Sequence, residues 1–155
     1  MKTCFKFFIL FFPFYSYSQT FTKITTGPVV TDAAGSFGAS WADYDNDADL
    51  DLFAATVSNQ NNLLYQNNGS GTFTKITSGP VVTDAAFTES QSWADYDNDG
   101  DLDLFVTNAT GQDNNLYRND GAGTFTQITT GSIVSDGGNS VGCAWGDYDN
   151  DGFVD

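Results

Sequence analysis

Three tryptophans, Trp41, Trp93 and Trp145, stand 52 residues apart, and the chain aligns with itself at that interval without an insertion. Phe21, Phe73 and Phe125 keep the same spacing, as do Tyr65 with Tyr117 and Gly69 with Gly121. A strict repeat of this length obliges each unit to fold alike and to bury its apolar face against the next one. A chain of 155 residues could by length alone form a single core. The repeat instead divides it into packed, equivalent units.

The signals inside each unit are those of strands. Residues 50–57 (LDLFAATV) and 102–109 (LDLFVTNA) mix alternation with β-branched and aromatic side chains. Residues 61–77 read as strand, tight turn and strand, with Asn67-Asn68-Gly69-Ser70-Gly71 as the connection. Asn119-Asp120-Gly121-Ala122-Gly123 repeats that connection in the second copy. A further strand runs through each Trp, and no window carries a sustained helical apolar period. Four short antiparallel strands per unit, repeated without gaps, predict an all-β partial propeller built of four-stranded blades. Residues 36–87 form the first blade, 88–139 the second, and 140–155 the start of a third. Residues 19–35 hold a closing strand (21–26) and a linker. On this reading the ring is not closed and the chain is the N-terminal part of a longer protein. Trp41, Trp93, Trp145, Tyr65, Tyr117, Phe73 and Phe125 are expected in the core between blades, and the asparagines near 59–62 and 113–115 at turns and edges. Glu89, without a repeated counterpart, is expected at the surface.

Between the first two strands of each unit lies an acidic run: WADYDNDADLDLF at 41–53, WADYDNDGDLDLF at 93–105 and WGDYDNDGFVD at 145–155. These runs hold 14 of the 20 acidic residues, nearly all at alternate positions. Two like charges 4 Å apart repel by roughly 4 kcal/mol at an effective dielectric near 20. Alternating carboxylates on a curled loop match what calcium requires, six to eight oxygen ligands at about 2.3–2.6 Å. Numbering each loop from its first aspartate, positions 1, 3, 5 and 9 are Asp43, Asp45, Asp47 and Asp51. In the second copy they are Asp95, Asp97, Asp99 and Asp103, and in the third Asp147, Asp149, Asp151 and Asp155. Position 7, occupied by Asp49, Asp101 or Phe153, supplies a backbone carbonyl. Magnesium demands a tighter octahedron, and zinc favours nitrogen and sulfur, which these loops lack. Position 6 needs a sharp turn that Gly100 and Gly152 allow and Ala48 resists, so the first loop is expected to bind more weakly than the second. Leu50 and Leu102, at position 8, are expected to anchor the loop to the core. An EF-hand would require flanking helices and a glutamate at position 12, where Ala54 and Val106 stand.

The succession of Trp, alternating aspartates and Leu-Phe, followed by N-x-L-Y-x-N-x-G-x-G-x-F, resembles the FG-GAP-like (VCBS) repeat of bacterial secreted proteins. That repeat is similar to the calcium-binding blades of the integrin alpha-chain propeller, and the resemblance covers residues 21–155. It implies a β-propeller with calcium in the hairpin between the first two strands of each blade. Phe37-Gly38 stands where the family's Phe-Gly would, with Gln91-Ser92 near it in the second copy and Val141-Gly142 in the third.

The start of the chain, MKTCFKFFILFFPFYSYSQ, reads as a signal peptide over residues 1–18. Lys2 and Lys6 precede a short apolar run, and Ser16-Tyr17-Ser18 precedes Gln19. The run is too short to span a bilayer, so a secreted or cell-surface protein is expected, with no membrane span after processing. Cys143 is then the sole cysteine and forms no internal disulfide. The net charge of −15 disfavours nucleic acid and anionic membranes and favours cations. The absence of histidine removes the commonest general base. A ring of repeats braced by ions is a stiff platform for loops, so a noncatalytic calcium-binding module for adhesion or recognition of an extracellular protein or polysaccharide is expected. The alternative is the N-terminal part of a propeller-based polysaccharide lyase or hydrolase, for which paired carboxylates could serve.

Overall fold

In each copy the tryptophan-bearing segment and the segment after the acidic loop pair as a hairpin, and the next two strands extend it into a sheet. The first sheet comprises β1 (Ser36–Ala42), β2 (Asp51–Thr56), β3 (Leu63–Asn67) and β4 (Phe73–Lys75); the second comprises β5 (Thr88–Ala94), β6 (Asp103–Asn108), β7 (Asn115–Asn119) and β8 (Phe125–Ile128). Both are antiparallel with strands in sequence order. This computed structural model describes residues 20–135 and 137–155. The signal peptide expected over residues 1–18 lies outside them. The two sheets, which do not close a ring, make an all-β partial propeller.

The registers repeat with the sequence. Trp41 pairs with Leu52 and Trp93 with Leu104, and each first strand carries an irregularity at the same place, Ser36/Gly38 and Thr88/Ser90. Every residue of β2 is buried, because it is an inner strand and the neighbouring sheet covers it. That two-sided burial explains why residues 50–57 do not alternate cleanly. Both second strands end under an asparagine: Asn62 Oδ1 accepts the Thr56 N–H at 2.9 Å and Asn114 Oδ1 accepts the Asn108 N–H at 3.0 Å. Asn62 is therefore buried, not an edge residue as its composition suggests.

The sheets share one core. Phe53 and Leu64 of the first meet Leu104, Val106 and Tyr117 of the second, with Trp93 and Phe125 packed against them. Trp93 meets Phe53 edge-on with ring centroids 6.3 Å apart, and its indole N–H donates to Ser40 Oγ at 2.9 Å. Trp145 repeats the contact on Phe105. Each tryptophan thus packs on the preceding unit, as expected between blades. Trp41 does not, being 56% exposed, because among the described residues no sheet precedes it. Leu50 is also 56% exposed, and so does not anchor its loop; Leu102 is half-buried. Glu89 is half-buried as well.

Residues 21–26 pair with neither sheet, and Phe21 is 94% exposed. An outer strand needs a free sheet edge, and both described sheets take their fourth strand from their own copy. Residues 140–146 likewise lie in no strand, since residues 140–155 contain no counterpart of β2 to pair with them. Short helical turns at Pro28–Thr31, Pro80–Val82 and Ser132–Val134 escape any periodicity test because they are three or four residues long. The glycine before each sits at φ of 95°, 98° or 118° with ψ near 160°, a region closed to side chains. Asp32 and Asp84, just after the first two turns, accept hydrogen bonds from Tyr65 and Tyr117 at 2.8 and 2.9 Å, tying each turn to the following sheet.

Candidate metal centre

The acidic loops curl because carboxylates gather their backbone. Asp43 accepts the N–H groups of Asp47 and Ala48, each at 3.0 Å, and Asp95 accepts those of Asp99 and Gly100 at the same distance. Asp147 repeats this with Asp151 and Gly152 at 3.1 and 3.0 Å. At position 5, Asp47, Asp99 and Asp151 each accept the N–H two residues on at 2.9 Å. Position 9 closes the loop: Asp51 accepts from Tyr44 N–H at 3.2 Å and Asn67 N–H at 2.7 Å. Asp103 does the same with Tyr96 and Asn119 at 2.9 and 2.8 Å, and Asp155 accepts from Tyr148 at 3.1 Å. The third loop keeps its shape even without a sheet, through a reciprocal backbone pair between Gly146 and Asp155.

Two residues per loop take left-handed backbone. At position 4 these are Asn46, Asn98 and Asn150, with φ near 60°, a feature the sequence reading missed although asparagine tolerates it. At position 6, Gly100 and Gly152 sit at 97° and 93°, and Ala48 at 72°. A left-handed alanine costs roughly 1–2 kcal/mol, partly offset by the greater freedom glycine has in the unfolded chain. Ala48→Gly should therefore stabilise the fold by about 0.5–1 kcal/mol, read as a higher urea midpoint at unchanged slope. A destabilised variant would show that the loop does not impose this geometry.

Nine of the expected carboxylates converge. One oxygen each from Asp43, Asp45 and Asp51 lies within 4.8 Å of the others, and the same holds for Asp95, Asp97 and Asp99, and for Asp147, Asp149 and Asp155. Asp47, Asp103 and Asp151 stand outside these groups; like several members of the groups, they accept backbone N–H groups. The position-7 side chains also stand outside: Asp49 lies against Gly69, where a Cβ would overlap it, and Asp101 accepts from Asn46 of the neighbouring loop. Phe153 is half exposed. Its role, like that of Asp49 and Asp101, would rest on the backbone carbonyl alone.

The charge is only partly offset. Asp45 Oδ2 accepts from Gln66, but Asp45 Oδ1 is buried without a hydrogen-bond partner. An ionised oxygen in that situation is costly unless a cation meets it. The converging donors are hard oxygens throughout, which fits calcium and does not fit zinc. Burial, reinforced by neighbouring aspartates and opposed by the backbone N–H groups, pushes Asp51 and Asp103 up to about 6. A carboxyl raised from 3.8 in the folded state destabilises the fold above about pH 6 and ceases to as pH falls through that window. In divalent-free buffer the melting temperature should therefore rise as pH is lowered from about 7 to about 5. A flat or falling profile would contradict the burial of these two groups.

The sequence profile of the FG-GAP-like repeat matches residues 43–106 and 95–155. No match is found among curated proteins.

Proposed function

The chain belongs to the FG-GAP-like repeat family, and from that premise we propose that it is a secreted, noncatalytic, calcium-binding propeller module that presents loops for extracellular adhesion or recognition. The observation that carries the calcium reading is the convergence of Asp43, Asp45 and Asp51 around a buried, unpartnered Asp45 Oδ1, in a loop whose partners recur in the next copies. Asp95, Asp97 and Asp99 hold the second ion, and Asp147, Asp149 and Asp155 a third. The bound ion supplies positive charge where the backbone donors fall short, and so braces each hairpin. Binding then lives on loops held by a stiff scaffold. The acidic field favours a cationic protein surface, or a polysaccharide engaged through calcium, over nucleic acid. The carboxylates at positions 1, 5 and 9 accept backbone N–H groups near their turns, which supports a structural and noncatalytic role. Among the described residues no helix is long and apolar enough to cross a membrane.

Calorimetric titration with calcium tests the reading. Saturable binding is expected, with one site lost in Asp45→Ala and a different, tighter one lost in Asp97→Ala. An absence of binding heat and of any calcium-dependent spectral change would refute it. Export is tested separately by fusing residues 1–18 to a reporter, which should be secreted and cleaved before Gln19.

A further inference from the structure

The first two acidic loops are joined to each other through two asparagines. Asn119, fully buried at the end of β7, faces both loops. Its N–H donates to Asp103 Oδ1, the position-9 carboxylate of the second loop, at 2.8 Å. Its side-chain amide donates to the Tyr44 carbonyl of the first loop at 2.7 Å and to Leu102 O of the second at 3.2 Å. Tyr44 in turn donates its own N–H to Asp51 Oδ2, the position-9 carboxylate of the first loop, at 3.2 Å. A continuous hydrogen-bonded path therefore runs from Asp51 to Asp103.

A second bridge lies at the surface. The side-chain amide of Asn46, at position 4 of the first loop, donates to Asp101 Oδ1 at position 7 of the second. Asp101 is also the residue whose carbonyl is expected to face the second ion. Tyr44 is held firmly in this arrangement. It is 4% exposed, and its ring stacks on Trp93 with centroids 6.5 Å apart and tilts against Phe125 at 5.8 Å. The ring lies over Gly123, where a Cβ would overlap it. Trp93 and Phe125 belong to the second sheet, so the first loop is pinned to the scaffold that carries the second.

We infer that Asn119 and Asn46 couple the first two sites, so that an ion held in the second loop tightens the grip of the first. This rests on the calcium reading proposed above. A bound ion fixes the curled form of the second loop, and with it Asp103 and Asp101. Those two carboxylates hold Asn119 and Asn46, and through them the Tyr44 peptide and the position-4 turn of the first loop. The first loop then has less freedom left to lose when its own ion arrives, which is positive cooperativity. By linkage the first ion strengthens the second by the same factor. Repulsion between the two ions works the other way, but at about 0.15 M salt the Debye length is near 8 Å and weakens it. Both asparagines are positioning residues, since each acts through groups of the loops and not as a ligand.

Calcium titration of the chain followed by amide NMR tests this, because the Ala48 and Gly100 N–H groups report on the first and second loops separately. Asp97→Ala, which disables the second loop, should weaken binding at Ala48 at least about fivefold, the lower end of the usual coupling between sites. In an Asn119→Ala background the same comparison should give a factor of about one, as a double-mutant cycle reads the loss of a connection. A merely structural role for Asn119 would lower both affinities and leave their ratio unchanged. Should that buried substitution prevent folding, Asn46→Gly serves, for the side chain is exposed and glycine accepts the left-handed turn. It should reduce the factor while keeping every carboxylate. An unchanged affinity at Ala48 in Asp97→Ala would overturn the coupling and leave the calcium sites standing. So would a factor that neither asparagine substitution alters. No response at either amide would overturn the calcium reading and the coupling together.

Discussion

Withdrawing calcium is expected to lower the melting temperature by about 10–20 °C. A site whose dissociation constant lies a hundredfold below free calcium contributes about 2.7 kcal/mol. Two such sites, in the loops set within complete hairpins, 43–51 and 95–103, would together contribute about 5 kcal/mol. That is a large part of the 5–15 kcal/mol by which a folded domain typically outlasts its unfolded state, and each kcal/mol moves the midpoint of a chain this size by about 2–4 °C. The loss arises where the structure leaves charge uncompensated: Asp45 Oδ1 is buried and unpartnered, and Asp51 is almost wholly buried beside it. Calorimetric melting with excess calcium and after exhaustive chelation measures the shift. A curve that does not move would mean that the backbone donors alone hold the loops.

The second large effect separates two residues that the repeat makes equivalent. Trp93→Ala is expected to cost about 3–5 kcal/mol, the usual range for removing a large aromatic from a packed core. It removes the ring that joins Tyr44 and Phe53 of one sheet to Phe125 of the other. It also leaves Ser40 without its indole donor. Trp41→Ala should cost less than about 1 kcal/mol, as expected for a half-exposed side chain. In urea, Trp93→Ala should lower the midpoint and broaden or split the transition, because coupling between neighbouring units makes repeat proteins cooperative. Equal losses from the two substitutions would show that the sheets do not rely on this contact.

That contrast also marks what the sequence discloses. Spacing of 52 residues, turn chemistry and strand propensity were enough to place two four-stranded sheets, the hairpin that carries each acidic loop, and the tryptophans between units. They could not show which copy of a contact has a partner. Trp41 and Trp93 have identical neighbours in sequence, yet one is exposed and the other packed, because burial depends on a second sheet. The same cause leaves residues 21–26 and 140–146 without strand pairing. Within the loops, alternation named the aspartates, nine of which converge, but not their division of labour. Asp43 and Asp95 both draw in the backbone and join a cluster, whereas at position 5 Asp99 joins a cluster and Asp47 and Asp151 stand apart, although all three accept the corresponding N–H. Asn67 and Asn119, which hold the position-9 carboxylates, read in sequence as hairpin residues, and only the sheet brings their N–H groups to Asp51 and Asp103.

The most direct test is anomalous diffraction from crystals of the protein grown in excess calcium. The account predicts a strong anomalous peak in each loop, within about 2.3–2.6 Å of carboxylate oxygens, contributed by Asp43, Asp45 and Asp51 in the first and by Asp95, Asp97 and Asp99 in the second. Loops that keep this curled shape under saturating calcium but show only water among those oxygens would contradict it.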